Sequence, residues 1–267
     1  MFDGERFGMN ASAAYNLAFA AAVCVVCALV VSSSNVSLKD LQEANEALEK
    51  QRNVLVAAGL ATTDERLSPA EVDVRFRAIR PVVVDLESGQ TATDIDPDLF
   101  DQDAATADIE TSNVAPENAA QVRRVPHHVL VYELRSTDDD LELVILPISG
   151  MGLWANLYGF VALDADMETI RGLTYYDHGE TPGLGGEVDN PRWKSLWPGR
   201  RVFDTDGEVR IEVIRGRAGA PDTDPFRVDG LAGATMTSRG VTNMLQFWLG
   251  AEGFRPYLER LRAEEGV

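Results

Sequence analysis

Chemistry in this chain points first to Asp229-Gly230-Leu231-Ala232-Gly233-Ala234-Thr235-Met236-Thr237-Ser238. Small residues fill its first half, and two threonines and a serine close it. A helical pattern follows, with Val241, Leu245, Trp248 and Leu249 recurring at spacings of three and four. Glycine lets backbone approach a ligand closely. The first turn of a helix offers unpaired N–H groups and a positive dipole end, which suit a phosphate. The same hydroxyls can serve as plain helix caps, and the stretch alone leaves both readings open.

Three further segments are rich in small and aromatic residues. They are Gly150 to Gly159, containing Trp154 and Tyr158; Tyr175 to Gly186, containing His178, Glu180, Thr181, Pro182, Leu184 and Gly185; and Asp189 to Lys194. Glycines at 179, 183, 185 and 186 suggest a loop pressed against something flat. Trp154 can stack on a ligand or simply belong to the core. Glu180 can be a general acid or an ordinary loop carboxylate. Thr181 can donate to a ring edge or only open a turn before Pro182. The three histidines, two of them adjacent at 127 and 128, make a poor metal set. The C-x-x-C pair Cys24 and Cys27 lies in an apolar run with no second ligand pair nearby, so it reads as membrane-facing. The chain has no P-loop, nucleophile-elbow serine or strand-linked G-x-G-x-x-G. With a formal net charge of −19, it also lacks the basic face that nucleic acid requires.

The elements that must position these groups begin with an uncharged run from Ala11 to Val31. As a helix it rises about 31 Å, enough for a bilayer core of roughly 30 Å. The acidic residues before it and the length of the run argue for a retained anchor over a cleaved signal peptide. Lys39, Lys50 and Arg52 after the span lean weakly toward a cytoplasmic domain. Ser37 to Ala58 reads as a stalk helix capped by Ser37 and stopped by Gly59, and Ser68-Pro69-Ala70-Glu71 opens another helix. Strands are expected at 81–86, 129–134, 141–146, 157–163, 169–176 and 209–214, a short helix or turn at 190–196, and a last helix at 254–263. Residues 87–125 read as a mostly surface insertion. The resulting organisation is a tail at 1–10, a span at 11–33, a stalk or linker at 34–66 and one domain at 67–267. Strands in runs rather than in alternation with helices make that domain α+β, with an antiparallel sheet and flanking helices.

Three of these segments, taken in order, resemble the covalent-FMN subunit of the Na+-translocating NADH:quinone reductase: Gly150-Met151-Gly152-Leu153-Trp154, Gly172 to Gly186, and Gly233-Ala234-Thr235-Met236-Thr237-Ser238. The single N-terminal span fits too. The resemblance implies one FMN-binding domain, with FMN held by a phosphoester bond in a motif of the form S-G-A-T-x-T. Here Ala232 replaces the serine, and Thr237, the second threonine, is the expected acceptor. Gly233, Ala234, Thr235, Ser238, Asp229, Trp154, Glu180, Thr181, Leu184 and Gly185 are the expected pocket residues. It further implies an electron relay among the other subunits of that complex, and maturation by a flavin transferase using FAD and Mg2+. The anchor would lie in the lipid of the bacterial inner membrane with the domain on its outer face, which overrides the charge lean. Two alternatives are the related covalent-FMN subunit of the ferredoxin:NAD oxidoreductase complex and, in another class, a membrane-tethered assembly domain without cofactor.

Overall fold

The computed structural model describes residues 11–266. The expected tail at 1–10 lies outside the described residues. Helix α1 runs unbroken over Ala11–Ala57, with no glycine or proline inside it. Gly59, at φ +72, then takes the left-handed conformation that stops a helix. The expected cap at Ser37 is therefore corrected: Ser37 lies mid-helix and its hydroxyl donates to the Ser33 carbonyl at 2.7 Å. Leu17, Phe19, Val26, Leu29 and Val30 are all exposed apolar side chains on α1, which demands an apolar surrounding medium. The helix is long and apolar enough to cross a membrane.

The chain divides between Leu48 and Glu49 into two compact units. The second begins with the last turns of α1, whose Val54, Leu55 and Ala57 are buried, as is Ala58 just after them. Gly172 leaves no room for a Cβ against the Ala57 carbonyl, so this turn sits directly on a strand of the sheet. Helix α2 (Pro69–Phe76) starts where the sequence predicts, with proline in the first turn, and Ser68 and Glu71 there form a reciprocal capping box.

Strand β1 (Ile79–Asp85) is followed by α3 (Gln102–Ala107) and the small ribbon of β2 (Ser112–Val114) with β3 (Arg124–Pro126). Both α3 and β2 lie inside the 87–125 stretch, where Ser112 and Ala120 are buried and the Ala120 carbonyl accepts from Met151 N–H. Then come β4 (His128–Arg135), β5 (Leu141–Met151), β6 (Asn156–Asp164) and β7 (Ile170–Asp177). These four and β1 form one antiparallel sheet in the order β1-β4-β5-β6-β7. The consecutive strands are joined by hairpins, and Asp139 in the β4–β5 turn adopts a positive φ.

Helix α4 (Pro191–Lys194) follows a 3-10 turn at Gly185–Asp189. The strand expected at 209–214 shrinks to the two-residue β8 (Glu212–Val213), paired in parallel with β9 (Arg227–Val228). Helix α5 (Thr235–Trp248) packs on β5, burying Val241, Leu245 and Trp248 as its spacing predicts. Trp248 Nε1 donates to the Ser149 carbonyl at 2.6 Å, fixing the helix on that strand. Helix α6 (Arg255–Glu265) closes the core, and Tyr257 donates to the buried Glu133 at 2.8 Å.

Candidate functional site

The head of α5 is built by glycines and a buried carboxylate. Gly233 has φ +73, a left-handed turn that brings the chain to the helix start. The N-cap is Ala234, which has no side chain able to cap, so the first-turn N–H groups are left for another partner. Helix α5 begins at Thr235, so Thr235, Thr237 and Ser238 all lie inside the first turn rather than at the cap. Ser238 instead accepts from Leu231 N–H at 3.0 Å and folds the approach loop onto the helix.

Thr237 is fully buried, and its hydroxyl donates to Glu180 Oε2 at 2.6 Å. The other oxygen of Glu180 accepts from Leu153 N–H at 2.8 Å and Trp154 N–H at 3.0 Å. One carboxylate thus ties the β5–β6 turn, the loop after β7 and α5 together. Gly185 explains the closeness: a Cβ there would lie 2.6 Å from Thr237 Oγ1 and collide with Glu180. Gly152 is constrained in the same way, 2.5 Å from Glu180 Oε1. The expectation of Thr237 as phosphoester acceptor meets a hydroxyl that is buried and already bonded to Glu180. The space beside that oxygen is filled by the Gly185 backbone and the Glu180 carboxylate.

Thr235, two positions earlier, is exposed. It lines a cleft of about 950 Å³ together with Gly230, Gly233, Arg215, Arg217 and Arg239. Asp229 lines the same cleft, but its carboxylate accepts from Ala218 N–H at 2.8 Å and its carbonyl from Trp193 Nε1 at 2.9 Å. Near the same helix start lie exposed apolar side chains. Leu184 lies within 3.0 Å of a Cβ built on Gly233, Met236 is in the first turn, and Leu153 and Trp154 flank the Glu180 bonds. Trp154 is 67% exposed, so it is no core residue. The Thr181 carbonyl accepts from Leu184 and Gly186 N–H groups and closes the turn between them.

Cleft and surroundings fit a flat, phosphate-bearing group. The volume lies within the usual range for small-molecule sites, roughly 300–1,000 Å³. The three arginines and the uncapped helix start suit a phosphate, and the exposed Leu184, Met236 and Trp154 suit an apolar ring.

Behind Glu180 runs a polar chain that no motif in the sequence signals. Glu180 N–H donates to His178 Nδ1 at 3.2 Å, and His178 Nε2 meets Asp189 Oδ2 at 2.7 Å. Lys194 lies 3.2 Å from Asp189 Oδ1 and donates to Thr174 Oγ1 at 2.9 Å, which in turn donates to Asn53 Oδ1 at 2.9 Å. The Asp189 hydrogen bond, working against burial, raises the His178 pKa above its ordinary value. Burial alone would raise Asp189, but His178 and Lys194 overcome it and hold the carboxyl below its usual range. The arginines are equally unforeseen. Arg215-x-Arg217 and Arg239 are visible in the sequence, but they lie on a loop and a helix that only the fold brings together.

A family described as the FMN-binding domain matches residues 152–250, the segment that holds Glu180, Leu184 and the α5 turn. The crystal structure of Shewanella oneidensis NqrC superposes with a TM-score of 0.75 at 34% identity, over 82% of this chain and 99% of that one. Among curated proteins, the chain is 46% identical to the corresponding Na(+)-translocating NADH-quinone reductase subunit, NqrC, of Yersinia pestis, over 90% of each chain. It is 44% identical to that of Pseudomonas aeruginosa, over 93% of this chain and 96% of the relative. The chain belongs to the NqrC family. The Parabacteroides distasonis structure from the same family gives a TM-score of 0.62 at 26% identity, over 83% of this chain and 96% of that one. As the sequence predicts, this NqrC-family chain has one long N-terminal apolar helix before an α+β domain with an antiparallel sheet. Helix and family together fit a membrane-anchored subunit.

Proposed function

We propose that this chain is the electron-relay subunit of a Na+-translocating NADH:quinone reductase, and that it carries FMN on Thr235 through a phosphoester bond. The observation that carries the acceptor assignment is the contrast between the exposed Thr235, lining an arginine-bordered cleft, and the buried Thr237, engaged with Glu180. NqrC relatives at over 40% identity across nine-tenths of the chain favour this complex over the ferredoxin-linked one.

FMN supplies one-electron chemistry when bound; the protein supplies tether, orientation and electrostatics. The first-turn amides of α5 and Arg215, Arg217 and Arg239 balance the phosphodiester charge. Leu184, Met236 and Trp154, all exposed, would cover apolar ring surface and keep water from it. Gly185 and Gly152 permit the close approach of the loops around Glu180. The flavin is installed by a transferase using FAD and Mg2+, for which an exposed acceptor hydroxyl is required. Electrons arrive from and leave to other subunits of the complex. Helix α1 lies in inner-membrane lipid, with the domain on the outer face.

Flavin fluorescence of the denatured chain on a gel, after co-expression with a flavin transferase, tests the attachment. Wild type and Thr237→Ala are expected to glow and Thr235→Ala to stay dark. A bright Thr235→Ala band beside a dark Thr237→Ala band would return the assignment to Thr237, and a dark wild-type band sinks the flavin reading. Sealed vesicles test the orientation: a domain protected from protease added to right-side-out vesicles contradicts the outer-face placement.

A further inference from the structure

His178 is held at both ring nitrogens. A backbone N–H can only donate, so the Nδ1 that receives Glu180 N–H is bare. An ionised carboxylate can only accept, so the Nε2 facing Asp189 carries the proton. The two contacts together select the neutral Nε2–H tautomer. A second proton would go to Nδ1 and set one N–H against another.

We propose that His178 is a positioning residue of the flavin site: its neutral form holds the Glu180 backbone, and its protonation releases that hold. Glu180 is the carboxylate that binds Thr237 and the amides of Leu153 and Trp154, so the release acts where three segments of the site meet. That consequence for the cofactor rests on the function proposed above. The hold on Glu180 itself does not.

The groups facing the ring are Asp189 from the 3-10 turn, with Lys194 of α4 behind it, and Asp177 and Glu180 on the histidine's own segment. The Asp189 hydrogen bond outweighs burial and raises His178 from an ordinary value of 6.5. A raised basic group adds stability that is fully present below its unfolded value and lost as pH rises through its folded value. Fold stability and site order therefore run in opposite directions. Acid strengthens the His178–Asp189 pair, while the bond to Glu180 N–H forms only on the alkaline side.

The test is a nuclear magnetic resonance titration of the full chain in detergent, labelled at histidine Cε1 and glutamate nitrogen, from about pH 5 to about pH 9. With three histidines in the chain, the His178→Gln spectrum assigns the His178 signal. The His178 signal is expected to titrate with a midpoint above 6.5, and the Glu180 amide to follow the same midpoint. Asp189→Asn should lower that midpoint by about one pH unit, from loss of a neighbouring charge. His178→Gln, whose side chain can still accept from Glu180 and donate to Asp189, should leave the Glu180 amide flat. A Glu180 amide that ignores the His178 titration overturns the proposal, as does an Nδ1–H tautomer at high pH. These arms need no flavin. In a flavin-loaded sample the flavin absorbance should shift with the same midpoint in wild type and not in His178→Gln. A flavin band that ignores His178 while the amide follows it overturns the link to the cofactor. A chain that takes up no flavin counts against the functional reading alone.

Discussion

Thr235 and Thr237 are two positions apart at the start of α5, yet one is exposed and the other fully buried. A 100° advance per residue turns positions two apart to opposite sides of a helix, so one threonine faces the cleft and the other the core. Under the proposed attachment to Thr235, Thr237 is a structural donor, and its loss can be separated from loss of the flavin. Thr237→Val removes the hydroxyl from a buried carboxylate, at a cost of about 1–3 kcal/mol. Chemical denaturation should show that loss while in-gel fluorescence persists. A variant that keeps wild-type stability but goes dark would contradict both roles. At this scale the sequence showed which residue types were present but not their orientation. Glu180 read as a general acid or, more readily, a bland loop carboxylate, because its three partners come from positions 153, 154 and 237.

Helix α5 brings its uncapped first turn and Arg239 to the cleft, and the loop around Arg215 and Arg217 supplies the facing charge. All three arginines are exposed, so each contributes only on the scale of a surface ion pair, about 0.5–1 kcal/mol. Arg239→Gln and Arg215→Gln should each slow flavin attachment about twofold to fivefold at low ionic strength. The difference should shrink as salt screens it. Rates measured by fluorescence in timed transferase reactions check this, and a salt-independent loss would mean a packing role instead. The apolar stripe of α5 was legible because Val241, Leu245 and Trp248 repeat at helical spacing. Its first residue was not legible, since neither Ala234 nor Gly233 carries a side chain that signals a cap.

Helix α1 runs through both compact units of the chain, and its last turns are buried in the second. Burying a Val or Leu side chain contributes about 1.5–3 kcal/mol. A chain starting at Glu49 keeps Val54 and Leu55 and should be soluble and cooperatively folded. A chain starting at Leu67 loses both, together with the Asn53 bond to Thr174, and should melt far lower or aggregate. Thermal unfolding by circular dichroism separates them, and equal melting temperatures would place the domain boundary at 67 after all.

The sequence by itself determined the apolar span, the antiparallel strand run, the start of α2, the α5 stripe and the family. Each is written in neighbouring residues, through composition, spacing or short motifs that need no distant partner. Only the tertiary structure decided which threonine is exposed, which arginines border the cleft, and that His178, Asp189 and Lys194 stand behind Glu180. Those facts depend on contacts between segments from 53 to 239, and on burial that deprives Thr237 of the space its neighbour Thr235 keeps.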